Sequence, residues 1–326
     1  MDCSSSCSYP SYKKLKSARR RYALSIPPSK NPSVIESANR ESPQTVGSHY
    51  DDLDSFYRET WGTHVHHGFW KTGKETVAEA TLQLLSELLA DVPIVSGTRI
   101  CDVGCGYGES SRHLARSYGA PVTGYTVSKA QCDYAVLNSK GLPAQFILGN
   151  WLENRQPSDS FDLLIAIEST EHMPDLRKFF QEAYRVLRPG GRIKICAWLG
   201  TENPSSIEER FLLRPICTEG RLRLGAVSEY LSLMTETGFQ NPAFKNVTEQ
   251  VKRTWTLCTA RVFKRLLTDS RYIRFLTSDP SKNKSFLKSL VRIRVAYEIQ
   301  SMLYGFIDAT KPSRASSAGA LNQERS

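Results

Sequence analysis

The sequence predicts an α/β protein built on a doubly wound, mostly parallel sheet, and three observations support this fold class. An apolar run at residues 100–103 has the length of a buried strand. Three glycines follow at alternate positions, Gly104, Gly106 and Gly108, and a candidate helix begins directly after them. Further apolar runs of strand length alternate with amphipathic segments towards residue 200. A strand, a glycine turn and a helix form the crossover unit of nucleotide-binding sheets.

The other elements follow from the same patterns. Strands are predicted at 122–126, 145–148, 163–167, 192–198 and 303–309. Helices are predicted at 75–90, 109–118, 179–187 and 228–237, where apolar residues recur at helical spacing. An Arg-Pro-Gly-Gly turn at 188–191 separates the third of these helices from the strand that follows.

The glycine loop indicates the type of ligand. Its pattern, D-x-G-x-G-x-G, differs from the G-x-G-x-x-G of dinucleotide-binding proteins. Asp102, at the end of the strand, would repel a phosphate, but it can accept hydrogen bonds from an ammonium group. The expected ligand is therefore a nucleoside that carries an amino acid. S-adenosyl-L-methionine meets this description, and the loop resembles motif I of the class I methyltransferases.

The charge distribution argues against a nucleic-acid partner. The chain carries 43 Lys and Arg against 33 Asp and Glu, a net charge of +10. Residues 1–46 carry 8 Lys and Arg against 3 Asp and Glu, and residues 251–326 carry 15 against 5. Residues 47–250 carry 20 Lys and Arg against 25 Asp and Glu, so the middle of the chain is acidic. A nucleic-acid enzyme more often surrounds its site with basic residues. No apolar run approaches the roughly 20 residues that a membrane span requires.

Cysteine and histidine spacing indicates neither disulfides nor a metal. The eight cysteines form no C-x-x-C motif and no Cys/His cluster with zinc spacing, which is typical of a reducing compartment. The adjacent His66 and His67 cannot both face one ion from a strand. Because residues 49–70 are dense in aromatic rings, we expect an aromatic lid over the ligand, formed by Tyr50, Trp61, His66 and His67.

Both ends of the chain lack a periodic pattern. Residues 1–46 are rich in serine and basic residues, so we expect a disordered tail or the transit peptide of a plastid or mitochondrion. A secretory signal is not expected, because no apolar segment follows the charges. Residues 311–326 are expected to form a second disordered tail. The protein is accordingly placed in the cytoplasm, or in an organelle if the first segment is a transit peptide.

Polar and aromatic residues follow the second and third strands. Thr126 and Val127 stand where an acid commonly binds a ribose, and a hydroxyl and a backbone N–H can take that role. Asn150 can accept a hydrogen bond from an adenine amino group, and Trp151 can stack on the base. For Asn150, a simple Gly-Asn turn is the alternative.

The fourth strand runs into E-S-T-E-H-M-P-D at residues 168–175. Ligands of open α/β sheets bind at the carboxyl ends of the strands. We therefore expect Glu168 to border the cofactor, and Glu171 and His172 to orient or deprotonate a second substrate. The alternative for this Glu-His pair is a helix cap.

Two insertions, 200–227 and 249–297, are expected to form a cap over the substrate. The second contains two basic amphipathic helices. The apolar face of the first carries Val251, Trp255, Cys258, Val262 and Leu266, and that of the second carries Phe286, Leu290, Ile293 and Ile299. Their partner is either the protein itself or an anionic membrane surface. A basic, solvated face on ordinary core helices is the third possibility.

Four stretches occur in one order: W-G-T-H-V-H-H-G-F-W, D-V-G-C-G-Y-G, G-Y-T-V-S-K-A-Q and E-S-T-E-H-M-P-D, followed by L-R-P-G-G. Together they resemble the γ-tocopherol methyltransferase group of S-adenosylmethionine-dependent enzymes. The resemblance implies a seven-stranded sheet with helices on both faces in a domain at 47–310. It also implies methyl transfer to a lipophilic small molecule, such as a prenylated phenol.

Two alternatives remain at this point. One is an N- or O-methyltransferase of an alkaloid or other secondary metabolite. The other is a non-catalytic nucleotide-binding module, in which Thr126 and Asn150 would be signs of decay. The intact Asp102 and glycine run argue against such a module.

Overall fold

In the computed structural model, the described residues are 34–39, 41–60, 62–270 and 280–313. Seven strands form one sheet in the order β3-β2-β1-β4-β5-β7-β6. They are β1 Ile100–Val103, β2 Val122–Thr126, β3 Ala144–Leu148, β4 Phe161–Ile167, β5 Leu187–Gly200, β6 Gln240–Asn246 and β7 Met302–Thr310. The first five are parallel, and β7 is antiparallel to both β5 and β6. The predicted seven-stranded, mostly parallel sheet is confirmed.

Twelve helices are present among the described residues. They are α1 Pro43–Asp52, α2 Asp54–Thr60, α3 Val77–Leu88, α4 Glu109–Tyr118, α5 Lys129–Leu137, α6 Leu176–Val186, α7 Ser206–Glu208, α8 Arg214–Gly220, α9 Val227–Thr237, α10 Thr248–Val251, α11 Arg253–Thr268 and α12 Pro280–Glu298. A π-helical turn, Glu209–Leu213, joins α7 to α8. In this part of the chain no helix is both long and apolar enough to cross a membrane.

The sheet has an apolar core on each face because alternate strand residues point to opposite sides. Ile100 and Leu163 belong to the cluster that contains α3 and α4. Their neighbours Cys101 and Leu164 belong to the cluster that contains α6 and α9. Strands β1 and β4 are thus buried on both faces, and these packed strands hold the polar loops at their carboxyl ends in place.

The sequence patterns missed strand β6 and several helices, among them α1, α2 and α5. Strand β6 carries mostly exposed side chains, so it shows no apolar period. Helix α1 begins inside the expected N-terminal tail: Ser42 caps it and Pro43 occupies its first turn. Upstream, buried Ile35 pairs with Leu224 through two backbone hydrogen bonds. The expected boundary at residue 46 is therefore wrong, because residues 34–39 and 41–46 pack on the domain; residues 1–33 lie outside the described residues.

The described parts of both predicted cap insertions are helical. Helices α7 and α8 lie in the first insertion, and α10, α11 and α12 lie in the second. Helix α12 packs against both α8 and α11. An ion pair between Arg292 and Glu219, 2.8 Å apart, joins the two insertions.

Candidate active site

A cavity opens where the carboxyl ends of β1, β2, β3 and β4 meet helix α1. Its lining includes Pro43, Val46, Tyr50, Val65, Gly104, Gly106, Tyr125, Thr126, Val127, Gln131, Gly149, Asn150, Trp151, Ile167, Glu168, Ser169, His172, Met173 and Pro174. Parallel strands direct their ends to one edge of a sheet, which is where open α/β folds bind ligands. The structure therefore brings most of the predicted site residues together.

The glycines of the loop serve different purposes. At Gly104 (φ +77°) a Cβ atom would lie 2.2 Å from the Cβ of Ser169, and at Gly108 (φ +76°) it would lie 2.6 Å from the ring of Phe146. Both glycines are needed because the backbone is left-handed and the neighbours are close. At Gly106 (φ +54°) nothing lies within 4 Å of that position. Because Gly106 also lines the cavity, its exposed main chain can contact a ligand.

Asp102 supports the loop from behind. It is buried, and its carboxylate accepts a hydrogen bond of 2.6 Å from the hydroxyl of Ser111 on α4. Burial raises the pKa of Asp102 to about 6, although the Ser111 bond acts in the opposite direction. Asp102 does not belong to the cavity lining, so the expected bond from its carboxylate to a ligand ammonium is not prepared in this geometry.

Thr126 and Val127 border the cavity as expected. The Thr126 hydroxyl donates to the Gln131 side chain (2.9 Å) and accepts from the backbone N–H of Ser128 (3.2 Å). Ser128 in turn donates to Asp51 of α1, 2.5 Å away. These bonds close the turn after β2 and attach it to the helix that crosses the cavity.

Asn150 and Trp151 also line the cavity. The side-chain carbonyl of Asn150 accepts from the backbone N–H of Leu152 (3.1 Å) and caps a short 3₁₀ turn, Trp151–Glu153. This is the turn considered above as the alternative. Trp151 is buried edge-to-face against Tyr125, and its indole N–H has no partner among the described residues. A buried donor of this kind is available to a ligand.

Glu168, at the end of β4, has a left-handed backbone (φ +51°) and four hydrogen-bond donors. Oε1 accepts from His67 N (2.7 Å), His67 Nδ1 (2.9 Å) and the Tyr304 hydroxyl (2.7 Å). Oε2 accepts from the indole of Trp198 (2.8 Å). Burial alone would raise the pKa of Glu168, but the neighbouring His67 and His66 lower it to about 2. A buried carboxylate is thus held at the cavity wall.

His67 is oriented by helices α11 and α12. Its Nε2 lies 2.7 Å from the indole nitrogen of Trp255 on α11 and 3.4 Å from the hydroxyl of Tyr297 on α12. An indole N–H only donates. Nε2 is therefore the acceptor, and Nδ1 carries the hydrogen that is donated to Glu168. His67 belongs to the support of Glu168 and does not line the cavity.

Of the other residues predicted to form the lid, only one is found in the cavity lining of the described structure. Tyr50 lines the cavity, whereas buried His66 contacts His64 (3.1 Å) and the carbonyl of His67 (2.8 Å) and does not line it. Trp61 lies outside the described residues. No group of three potential metal ligands occurs in the described part of the chain.

Tyr50 and His172 form a hydrogen-bonded pair in the cavity, with 3.0 Å between the Tyr50 hydroxyl and His172 Nε2. His172 Nδ1 lies 2.9 Å from the backbone carbonyl of Arg221. A carbonyl only accepts, so Nδ1 carries the hydrogen and Nε2 accepts from the phenol. Burial lowers the pKa of His172 and raises that of Tyr50. The pair is a neutral imidazole that accepts a hydrogen bond from a phenol.

Glu171 is not part of this pair. Its carboxyl is buried, accepts from Trp198 N (2.5 Å) and Thr170 Oγ1 (3.1 Å), and does not line the cavity. Burial raises its pKa to about 8, to which the nearby Glu168 charge contributes. Glu171 joins the turn after β4 to β5, while its neighbour His172 faces the cavity.

A protein-family model described as mycolic acid cyclopropane synthetase matches residues 37–272. The chain belongs to the mycolic acid cyclopropane synthetase family. Similar members of known name include 27-O-demethylrifamycin SV methyltransferase of Amycolatopsis mediterranei, 29% identical over 84% of this chain and 99% of the relative. Tocopherol O-methyltransferase of Arabidopsis thaliana is 29% identical over 82% of each chain. Sterol 24-C-methyltransferases also match, so the tocopherol group is one of several related groups.

Solved structures agree on the fold of this family. Cyclopropane synthase MmaA2 from Mycobacterium tuberculosis superimposes with a TM-score of 0.72 at 19% identity, over 84% of this chain and 100% of the other. Mycolic acid cyclopropane synthase CmaA1, complexed with S-adenosylhomocysteine, gives 0.72 at 22% identity, over 83% and 99%. The protein is a class I S-adenosylmethionine-dependent methyltransferase, and S-adenosyl-L-methionine is its cofactor.

The cavity fits this cofactor on two observations. The open face of Gly106 admits a ligand against the main chain, and the buried Trp151 N–H can donate to it. Thr126, Val127 and Asn150, which the sequence assigns to the nucleoside, also line the cavity.

Sequence analysis missed several residues of the support around Glu168. Trp198, Tyr304, Trp255 and Tyr297 all contact Glu168 or His67. The sequence did indicate that Trp255 would be buried, because it lies on the apolar face of a predicted amphipathic helix. Its indole needs a partner when buried, and that partner is 188 residues away in sequence.

Proposed function

We propose that this enzyme methylates a lipophilic small molecule that bears a phenol or hydroxyl group, such as a prenylated phenol. The Tyr50–His172 pair carries this proposal, because a neutral imidazole behind a phenol is suited to remove a proton from an acceptor O–H. Two relatives, 27-O-demethylrifamycin SV methyltransferase and tocopherol O-methyltransferase, support the same substrate class.

The proton route follows from the hydrogen bonds. Arg221 O holds Nδ1–H, so the lone pair on His172 Nε2 is free to receive the Tyr50 proton. An acceptor hydroxyl placed against Tyr50 gives its proton to the phenol oxygen as the phenol proton moves to Nε2. The acceptor then carries the electron pair needed for attack, and His172 carries the positive charge. S-adenosyl-L-methionine supplies the methyl group in an activated, sulfonium-bound form.

Other residues bind and exclude water. Gly104, Gly106 and Trp151 form the wall that we assign to the cofactor. Pro43 and Val46 of α1 cover the cavity with apolar surface, which strengthens the hydrogen bonds inside it. Glu168 places a negative charge in the cavity wall, where four hydrogen-bond donors hold it.

The test combines an acceptor panel with two variants. Radiolabelled S-adenosylmethionine is incubated with phenolic, amine and lipid acceptors, and labelled products are identified. With the best acceptor, Tyr50→Phe and His172→Ala should each lower kcat about 100-fold or more, the usual share of general base catalysis. S-adenosylhomocysteine binding, measured by calorimetry, should be unchanged.

Two results would contradict the proposal. One is a parallel loss of S-adenosylhomocysteine binding in both variants, which would make the pair structural. The other is transfer only to amines with kcat independent of His172. The pKa of His172 lies below the ordinary imidazole pKa of 6.5. The proposal is therefore supported if kcat stays constant as the pH is lowered to 6.5 and falls only at lower pH.

We also propose that residues 1–33 direct the protein to an organelle. Their serine-rich, basic composition and the chloroplastic tocopherol relatives support this. A fluorescent fusion of the full chain should accumulate in the organelle, and a fusion beginning at residue 34 should remain in the cytoplasm. Equal distribution of both fusions would contradict the proposal.

A further inference from the structure

We propose that helices α11 and α12 form a docking surface for membranes that contain anionic lipid. This partner lies beyond the methyl-transfer reaction, and the inference depends on how the two helices are placed, on what they expose and on their charge.

The helices lie side by side in opposite directions. Lys252, just before α11, pairs with Glu298 at the end of α12, 3.1 Å away. Both turn a buried face to the core, with Trp255 and Val262 on α11 and Ile293 and Tyr297 on α12. Because both rest on one core, their opposite faces point outward in the same direction.

The outward faces expose apolar side chains at helical spacing. Phe263 and Leu267 are four residues apart on α11, and Leu267 is 88% exposed. Val291 and Val295 on α12, and Ile299 just past its end, repeat the spacing, each at least 40% exposed. Two such rows on one surface exceed the scattered single residues that are normal for a soluble protein.

The same helices are strongly basic. Residues 251–270 and 288–299 contain eight Lys and Arg against two Asp and Glu. Lys264, Lys288 and Arg294 are exposed beside the apolar rows. A basic helix surface with an apolar stripe is the pattern of interfacial binding to anionic lipid. A second copy would bring a net +6 against the same net +6, so charge favours the membrane over self-association.

The surface lies close to the catalytic cavity. The buried faces of the two helices bring Trp255 and Tyr297 to His67, which binds Glu168 in the cavity wall. A lipophilic acceptor dissolved in a bilayer would therefore meet the enzyme on the side where its substrate cap lies. Only this consequence rests on the proposed function.

The experiment is vesicle sedimentation of the full chain. Vesicles of phosphatidylcholine alone are compared with vesicles of equal parts phosphatidylcholine and phosphatidylglycerol, at low and at physiological salt. The protein should sediment with the anionic vesicles and not with the neutral ones. Binding should weaken with salt, because the charges are exposed.

Two variants test the two parts of the surface. Changing Lys264, Lys288 and Arg294 together to Gln should weaken partitioning about 100-fold, since each basic residue adds about 1 kcal/mol at an anionic surface. Leu267→Ser with Val295→Ser should also weaken it. The matched controls are Arg116, Lys140 and Lys178 to Gln, and Val136→Ser with Leu137→Ser, all exposed on other elements. Both control variants should bind as the wild type does.

The outcomes separate clearly. Failure of the wild type to sediment with anionic vesicles at low salt overturns the proposal, as does equal loss in test and control variants. A wild type that dimerises in gel filtration and becomes monomeric on Leu267→Ser with Val295→Ser would assign the surface to a second copy instead. No methyl transfer is measured, so failure here leaves the Tyr50–His172 proposal standing.

Discussion

On the side of the cavity that we assign to the cofactor, the lining comes from one stretch of chain, the strand ends and turns between residues 104 and 151. On the side that we assign to the acceptor, Tyr50 and His172 meet across 122 residues of sequence, and behind the cavity wall His67 and Trp255 meet across 188. The first side includes the left-handed backbone of Gly104 and Gly106, and the second is a set of side-chain hydrogen bonds. A binding wall made of backbone is specified locally, whereas one made of side chains exists only in the folded protein.

The largest expected effect tests whether Glu171 belongs to catalysis or to the fold. Its folded pKa of about 8 exceeds the ordinary value of 4.5, so the folded state binds this proton more tightly. The resulting stability is complete below pH 4.5 and is lost as pH rises to about 8. Glu171→Gln should remove up to about 5 kcal/mol of that pH dependence of the free energy of unfolding, measured by urea titration at several pH values.

Activity supplies the second readout of this variant. We expect Glu171→Gln to retain kcat near the wild-type value, because its carboxyl faces Trp198 N and not the cavity. A loss of kcat as large as that of His172→Ala, with an unchanged pH dependence of the free energy of unfolding, would instead assign Glu171 a role in catalysis.

The next effect concerns the cofactor side. Gly106→Ala should weaken S-adenosylhomocysteine binding about 100-fold, because its Cβ would enter the cavity and the left-handed backbone would be strained by about 1–3 kcal/mol. Gly141→Ala is the matched control, with φ +79° and no atom within 4 Å, but outside the cavity lining. Both variants should lose similar thermal stability, and only the first should lose affinity. Equal affinities would show that Gly106 does not contact the ligand.

A smaller effect is expected at the cap. Trp255→Phe removes the N–H that orients His67 and should lower the free energy of unfolding by about 1–2 kcal/mol. Because this support ends at Glu168, kcat/KM for the acceptor should also fall, with S-adenosylhomocysteine affinity unchanged. Chemical denaturation and steady-state kinetics measure the two quantities. A fall in cofactor affinity would show that the two sides are not independent.

The smallest effect concerns Asn150. Its side-chain carbonyl caps a 3₁₀ turn, so Asn150→Ala should cost about 1 kcal/mol of stability, and Asn150→Asp should retain the cap. Calorimetry should give nearly the same S-adenosylhomocysteine affinity for all three proteins. A strong loss confined to the Ala variant would instead support the adenine contact expected from the sequence.

The difference between the two sides explains how far sequence analysis reached. The strand and glycine loop at 100–108 were predictable because burial, spacing and backbone conformation are local properties. The start of α1 carried a local signal too, a Ser-Pro cap at residues 42 and 43, but the surrounding serines and prolines obscured it. The sequence does not show which of the neighbouring residues Glu171 and His172 faces the cavity. Only the packing of the turn against β5 directs one to Trp198 and the other to the cavity.

Helix α1 has a consequence for the timing of the reaction cycle. It lies against the turn after β2 so closely that a Cβ on Gly47 would stand 2.5 Å from the carbonyl oxygen of Val127, and Asp51 accepts two hydrogen bonds from residues 128 and 130. A cofactor held in the cavity, as we propose, would leave only when those contacts separate. Dissociation of S-adenosylhomocysteine is therefore expected to be slow, because it requires these contacts to open first.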